Sequence, residues 1–370
     1  MTETPLQQLA RHGQSVWLDY LSRDLVHGGE LERMTREHGI VGVTSNPTIF
    51  QKAISSGSAY DEQMQELIEG GEDSPEVLFR LLAVRDIQDA CDLLRPTWDG
   101  GKGQDGYVSL EVNPKLAYES EATAERAKLL WDLVDRPNLL VKIPATKPGL
   151  PAIEESIAAG VSINVTLIFS LARYDAVVEA YLRGLERLVA GGGDPTHVAS
   201  VASFFVSRVD TEVDRRLDEI GGDAKRLKGS LAVANAKLAY QHFQRFFAGD
   251  RWEALASKGA TKQRCLWAST SVKNPDYRDT LYVEELIGPQ TVNTMPQETI
   301  EAFEDHGKVA DTLDAGIDEA QQVFEDVAAA GVDLADVWLT LEEEGVQKFV
   351  DSFEELLEGV RVKRGELVSA

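Results

Sequence analysis

Short apolar runs of strand length alternate with amphipathic helical stretches along nearly the whole chain, and this alternation limits the available folds more than any other feature. Strand-like runs fall near 15–20 (SVWLDY), 41–46 (VGVTSN), 107–113 (YVSLEVN), 138–144 (NLLVKIP), 162–168 (SINVTLI), 199–206 (ASVASFFV), 264–269 (RCLWAS) and 290–295 (QTVNTM). Helical stretches such as 119–134 and 170–190 separate them. Eight strands, each followed by helix, predict an α/β fold of the (β/α)8 TIM-barrel type. A doubly wound open sheet is the rival for the same pattern. From about residue 310 onward no strand is read, and the acidic segments DAGIDEAQQVFEDVAAAG and GVQKFVDSFEELLEGVRVK predict helices. The expected organisation is a barrel domain over 1–310 and a helical extension over 311–370 packed on it. The glycine-rich GGKGQDG (100–106) contains G-x-G-x-x-G but precedes a strand, so it reads as a loop and not a dinucleotide fingerprint.

Composition narrows the partners. With 43% hydrophobic and 27% charged residues the chain has ample core, and no apolar run approaches the ~20 residues a membrane-spanning helix needs. The amino end, MTETPLQQLARHG, has neither the basic start nor the apolar core of a secretory signal. Two cysteines, Cys91 and Cys265, are too few for a disulfide framework and point to a reducing cytoplasm. A net charge of −25 argues against nucleic acid and anionic membranes as partners. An anionic small substrate then needs a local cluster of donors working against the global field.

Side chains alternate between the faces of a strand. In NLLVKIP, Leu139, Val141 and Ile143 share one face, and Leu140, Lys142 and Pro144 the other. The same partition sets Ser109, Glu111 and Asn113 against Leu110 and Val112, and Ser162, Asn164 and Thr166 against Ile163, Val165 and Leu167. Asp19 is separated from Leu18 and Tyr20, and Thr44 is grouped with Asn46. Barrels usually fill their axis with branched apolar residues, so this many inward polar groups needs a reason. Asp19 or Ser109 alone is explained equally well by a wetted barrel rim. Lys142 is harder to explain that way, although its stem is long enough to snorkel past the strand end. An amine kept inside is desolvated, which favours its neutral, nucleophilic form, and a neutral amine attacks carbonyls to give a Schiff base. Nearby carboxylates supply the proton transfers that this chemistry requires.

Other chemistries lack their residues. The six histidines show no metal-site spacing, so no metal is expected. No G-x-S-x-G elbow and no G-x-x-x-x-G-K-[ST] phosphate loop is present. A lysine-based carbonyl reaction without metal or cofactor survives this elimination.

Four segments resemble one family. GVTSNPTIF (42–50) resembles the signature segment of transaldolases, NLLVKIPAT (138–146) their Schiff-base lysine strand, and INVTLIFS (163–170) and SFFVSR (203–208) the two strands that follow. The resemblance runs in order over about residues 15–305, and the length and helical tail are similar to the longer bacterial subgroup. It implies a class I mechanism that moves a dihydroxyacetone unit from a ketose phosphate to an aldose phosphate in the non-oxidative pentose phosphate pathway. Carried over by motif, Lys142 forms the imine, and Glu111 shuttles protons through a water held by Thr166. Asp19 takes the C4 hydroxyl proton, and Thr44, on the Asn46 face, is read as substrate-binding. Asn46, Asn164 and Ser203 bind the dihydroxyacetone hydroxyls, Phe205 helps exclude water, and Arg208 forks the phosphate. A fructose 6-phosphate aldolase, which releases dihydroxyacetone, and an idle barrel scaffold are the rivals.

Two departures from the family pattern stand out. Phe204 and Ser207 occupy positions where proline and glycine are expected. After the seventh strand the chain reads WASTSVKNPDY, without the family's second arginine. Ser269 or Ser271 with Lys273 are the nearest phosphate ligands there, with Lys147 and Arg278 as alternative cations. The partners expected are sugar phosphates, and the chain is expected to act as a monomer or homodimer.

Overall fold

A computed structural model describes residues 4–55 and 57–369. Its centre is a closed barrel of parallel strands. They are β1 (Gln14–Leu18), β2 (Ile40–Val43), β3 (Tyr107–Glu111), β4 (Leu139–Pro144), β5 (Ile163–Ile168), β6 (Ser200–Phe205), β7 (Arg264–Ala268) and β8 (Thr291–Met295). Each strand pairs with the next, and β8 returns to pair with β1, from Gln14↔Thr291 to Leu18↔Met295. This closure sets aside the open-sheet alternative. The 100–106 glycine segment is a turn leading into β3.

Alternation along the strands builds two layers. Leu139, Val141 and Ile143 of β4 and Ile163 and Val165 of β5 are fully buried beneath the surrounding helices. Burying side chains of this size stabilises the fold by about 1.5–3 kcal/mol each before entropy is counted. The opposite faces meet across the axis. Asn164 of β5 donates its amide N–H to Ser109 Oγ of β3 at 3.0 Å, a bond that passes over the intervening β4. Ser203 of β6 donates to Asn164 Oδ1 at 2.6 Å. The polar faces therefore point inward and bond to one another. At the amino end of the strands Trp17 plugs the axis. Gly42 makes room for it, since a Cβ there would lie 2.6 Å from the indole ring. Arg264 closes the same end by pairing with Asp105 at 3.0 Å and donating to Ser15 Oγ at 2.9 Å.

The C-terminal helix, Leu334–Ser369, lies across the carboxyl ends of the strands. Its attachments name its position: Thr48, after β2, donates to Ser352 Oγ (2.7 Å), and Lys115, after β3, pairs with Glu354 (2.8 Å). Arg173, after β5, pairs with Glu342 (3.0 Å). Phe353 packs edge-on against Phe79, whose ring lies edge-on to Phe50. Val337, Leu341, Phe349, Phe353 and Val360 belong to the same continuous apolar cluster as the barrel strands. Among the described residues, no helix is long and apolar enough to cross a membrane.

Candidate active site

Lys142 stands at the middle of β4, with Glu111 of β3 as its register partner on one side and Asn164 of β5 on the other. The three strands thus present an amine, a carboxyl and an amide side by side on the inner face. Lys142 is 5% exposed, so its ammonium does not snorkel into solvent. Its Nζ donates to the backbone carbonyl of Ser45 at 3.0 Å and lies 3.3 Å from Glu111 Oε2. Ser45 is itself held by donating its hydroxyl to the Ser109 carbonyl at 2.6 Å. The amine is therefore aimed by β3 and by the segment that follows β2, neither of them its own strand.

Both carboxyls of the site are held back from ionising. Burial pushes Glu111 up, with Lys142 acting in the opposite direction; its side chain is only 4% exposed. Burial likewise pushes Asp19 up, against the pull of Lys142 and then of the Thr44 hydroxyl. Asp19 follows β1, and its backbone N–H, donating to Met295 O at 2.8 Å, extends the barrel by one residue. Thr44 donates to Asp19 Oδ1 at 2.7 Å and meets Thr294 Oγ1 at 2.7 Å, so it orients the carboxylate. Among the described residues, Glu111 Oε1 and Thr166 Oγ1 are buried without a hydrogen-bond partner. Asn46 accepts from the Ile49 N–H at 3.1 Å and caps the helix that follows β2.

The helix Ser207–Ile220, which follows β6, carries Arg208 into the same mouth. Burial holds the Arg208 guanidinium below the usual arginine range, against the pull of Asp19 and then Glu111. Its Cζ lies 5.1 Å from the Phe205 ring centre, and Phe205 packs on Phe169. Across from it, Lys273 donates to Ser271 Oγ at 2.6 Å. Ser269, in a left-handed conformation (φ 57°), has its hydroxyl 2.9 Å from that of Ser207. A buried carboxyl braces this wall: Asp210, pushed up to about 7 by burial, accepts from Tyr282 (2.9 Å) and from the Ala232 N–H (2.8 Å). The wall thus ties the Arg208 helix to the segment between β7 and β8.

A family model described as Transaldolase/Fructose-6-phosphate aldolase matches residues 16–360. The chain belongs to that family. Among curated relatives, a protein named Transaldolase from Frankia alni is 55% identical, covering 95% of each chain. Another of that name from a Parafrankia species is 53% identical over 99% of each. A third, from Mycolicibacterium paratuberculosis, is 52% identical over 97% of each.

Within this transaldolase-family barrel, the residues singled out by motif converge on one end of the strands, one departure gains an account, and one alternative cation drops out. Phe204 points away from the mouth, edge-on to Tyr174 and Trp267, so its replacement of a proline alters the outer layer. Arg278 is taken up by Glu284 (2.8 Å) and the His306 carbonyl (2.7 Å), which removes it as a free phosphate cation. Sequence reading did not find the contribution of the C-terminal helix. Phe349 sets its ring centre 5.9 Å from Lys142 Nζ, roofing the amine. The one signal available was the spacing of Gly345, Phe349 and Phe353, a small-then-aromatic stripe at helical period in an otherwise acidic segment.

Proposed function

We propose that the protein is a transaldolase whose covalent catalyst is Lys142. The observation that carries this is a lysine buried in the barrel between a carboxyl of raised proton affinity and a backbone carbonyl that aims it. The Lys142 amine attacks the C2 carbonyl of a ketose phosphate, forming a C–N bond and a carbinolamine. Glu111, protonated more readily than an ordinary glutamate, gives its proton to the departing hydroxyl, which leaves as water. The resulting iminium is the electron sink. Asp19 takes the C4 hydroxyl proton, the C3–C4 bond breaks, and its electron pair moves toward the iminium nitrogen as the aldose departs. The enamine then attacks the carbonyl carbon of the acceptor aldose, Asp19 returns the proton, and hydrolysis of the new imine frees both product and lysine.

Asn164 donates to Ser109 and accepts from Ser203, which supports a preorganised polar set for the dihydroxyacetone hydroxyls: a second amide N–H of Asn164 to donate and the Ser203 oxygen to accept. Thr166 Oγ1 and Glu111 Oε1, both without a partner among the described residues, suit a bridging water. Asn46 reads as a substrate ligand through its amide nitrogen, its oxygen being used in the cap. The phosphate goes to Arg208, with Ser271 and Lys273 opposite and Ser269 behind them. The pair of substrates this suits is sedoheptulose 7-phosphate with glyceraldehyde 3-phosphate, giving erythrose 4-phosphate and fructose 6-phosphate. The reaction is assigned to the cytoplasm, consistent with two buried free thiols, Cys91 and Cys265.

The test is a donor assay with and without acceptor. Fructose 6-phosphate with erythrose 4-phosphate should yield sedoheptulose 7-phosphate, while the donor alone should yield little free dihydroxyacetone. Rapid release without acceptor assigns the chain to aldolase chemistry, and no turnover under either condition assigns it to a scaffold. Arg208→Ala is expected to lower kcat/KM for fructose 6-phosphate by about 10²-fold, as loss of a charge-assisted fork implies. The loss for unphosphorylated fructose should be far smaller; equal losses would make Arg208 structural.

A further inference from the structure

The face that the C-terminal helix turns toward the barrel carries another cation. Gly345, Lys348 and Phe349 are spaced i, i+3, i+4, which sets them side by side on one face. Gly345 permits the close approach, because a Cβ there would lie 3.1 Å from Leu167 Cδ2 and 3.6 Å from Arg208 Nη1. Leu167 meets it from β5 in a left-handed conformation (φ 59°), a placement disfavoured for a branched side chain and retained where the helix crosses the mouth. Phe349 lies 5.9 Å from Arg208 Cζ. Lys348 is therefore carried on the helix turn whose Gly345 and Phe349 border Arg208, with its own side chain exposed.

The electrostatics agree with that placement. Arg208, followed by burial and Lys273, holds the Lys348 ammonium below the usual lysine range. Among the described residues, none of Arg208, Lys273 and Lys348 has a carboxylate within 4.0 Å. Elsewhere in this chain of net charge −25 cations are readily neutralised: Arg251 holds Glu179 and Glu186, and Arg215 holds Glu212 and Glu219. Asp19, Glu111 and Glu344 act on Arg208 only from beyond ion-pair distance, and Lys348 feels the charge of both Arg208 and Lys273, so an anion entering between these cations relieves their repulsion. Lys115, on the same rim, is by contrast paired with Glu354 of the same helix.

We propose that Lys348 is a third phosphate-binding cation, and that the C-terminal helix thereby forms one wall of the substrate site. The ligand chemistry is a phosphate monoester dianion, held by the Arg208 fork from below and by two lysine point charges from the sides. Lys348 also makes up for the arginine missing after β7. This rests on reading Arg208 as the phosphate anchor.

Inorganic phosphate, as a competitive inhibitor against fructose 6-phosphate, tests the proposal on the full chain. Lys348→Ala is expected to raise the phosphate inhibition constant about tenfold, and Lys348→Arg to restore it to within about threefold, since the interaction needs charge more than shape. The ratio of kcat/KM for fructose 6-phosphate over fructose should fall by a similar factor in Lys348→Ala. Lys348→Gln, which keeps the stem and removes only the charge, should match alanine. An unchanged inhibition constant in Lys348→Ala, beside a raised one in Arg208→Ala, overturns the role of Lys348 and leaves the Arg208 anchor standing. An unchanged constant in both variants overturns the phosphate reading of the whole mouth.

Discussion

Lys142→Ala is expected to lower kcat/KM for the donor ketose by about 10⁴-fold or more, the scale of losing a nucleophile from a cooperating set. No neighbour can replace it: Arg208 does not give up its proton, and Ser45 meets Nζ through its backbone carbonyl. The variant should also carry a pH signature in its stability. Lys142 is the largest influence holding down the proton affinity of both Glu111 and Asp19. Removing it raises both folded-state pKa values further above their unfolded values. A carboxyl raised on folding favours the fold while it is protonated and loses that contribution as pH climbs through the folded pKa. Relative to the parent, Lys142→Ala should therefore be destabilised least at low pH, where both carboxyls are protonated in either protein, and increasingly as pH rises. Urea unfolding at several pH values checks this. A stability difference independent of pH would show that the amine and the two carboxyls are not coupled.

The two carboxyls should fail in different ways. Glu111→Gln cannot relay a proton to the leaving hydroxyl and should lose about 10²–10⁴ in kcat, the usual range for a positioned acid–base group. Because Glu111 must be protonated to act on the leaving hydroxyl and burial raises its proton affinity, its ionisation should appear as a limb of the parent's kcat/KM profile that falls with rising pH, above the ordinary glutamate value of about 4.3. Glu111→Gln should remove that limb. Asp19→Asn keeps the Thr44 contact within reach but has no base for the C4 hydroxyl. It should form the imine and stop before C–C cleavage. Rapid quench with borohydride then distinguishes them: Asp19→Asn accumulates the intact six-carbon phosphate adduct, while Glu111→Gln accumulates little adduct of any kind. The same adduct pattern in both variants would contradict the division of labour.

Much of this site was legible because strand periodicity is local. The run NLLVKIP reads as a strand over 138–144, and β4 spans Leu139–Pro144 with Lys142 on the inner face, as alternation requires. The same rule brought Glu111, Asn164 and Thr166 to the axis. Other features depend on contacts that no local pattern encodes. The acceptor that aims Lys142 is a main-chain carbonyl, Ser45 O, which any residue type supplies. The left-handed Leu167 lies where the β5–β6 register shifts, between Val165 and Ile168, and its side chain meets Gly345 of a distant helix. The C-terminal helix was readable as a helix from its acidic amphipathic pattern. Which end of the barrel it covers depended on partners such as Thr48 and Arg173, some 170 to 300 residues away in sequence. That is why Phe349 and Lys348 entered only with the structure.

Borohydride reduction of the parent protein in the presence of fructose 6-phosphate, followed by peptide mapping, tests the central claim most directly. Cleavage of the donor on the enzyme leaves a dihydroxyacetone unit, so a reduced three-carbon adduct is predicted on the peptide containing Lys142, with every other lysine unmodified. A label on a different lysine, or no label while turnover continues, would contradict the account.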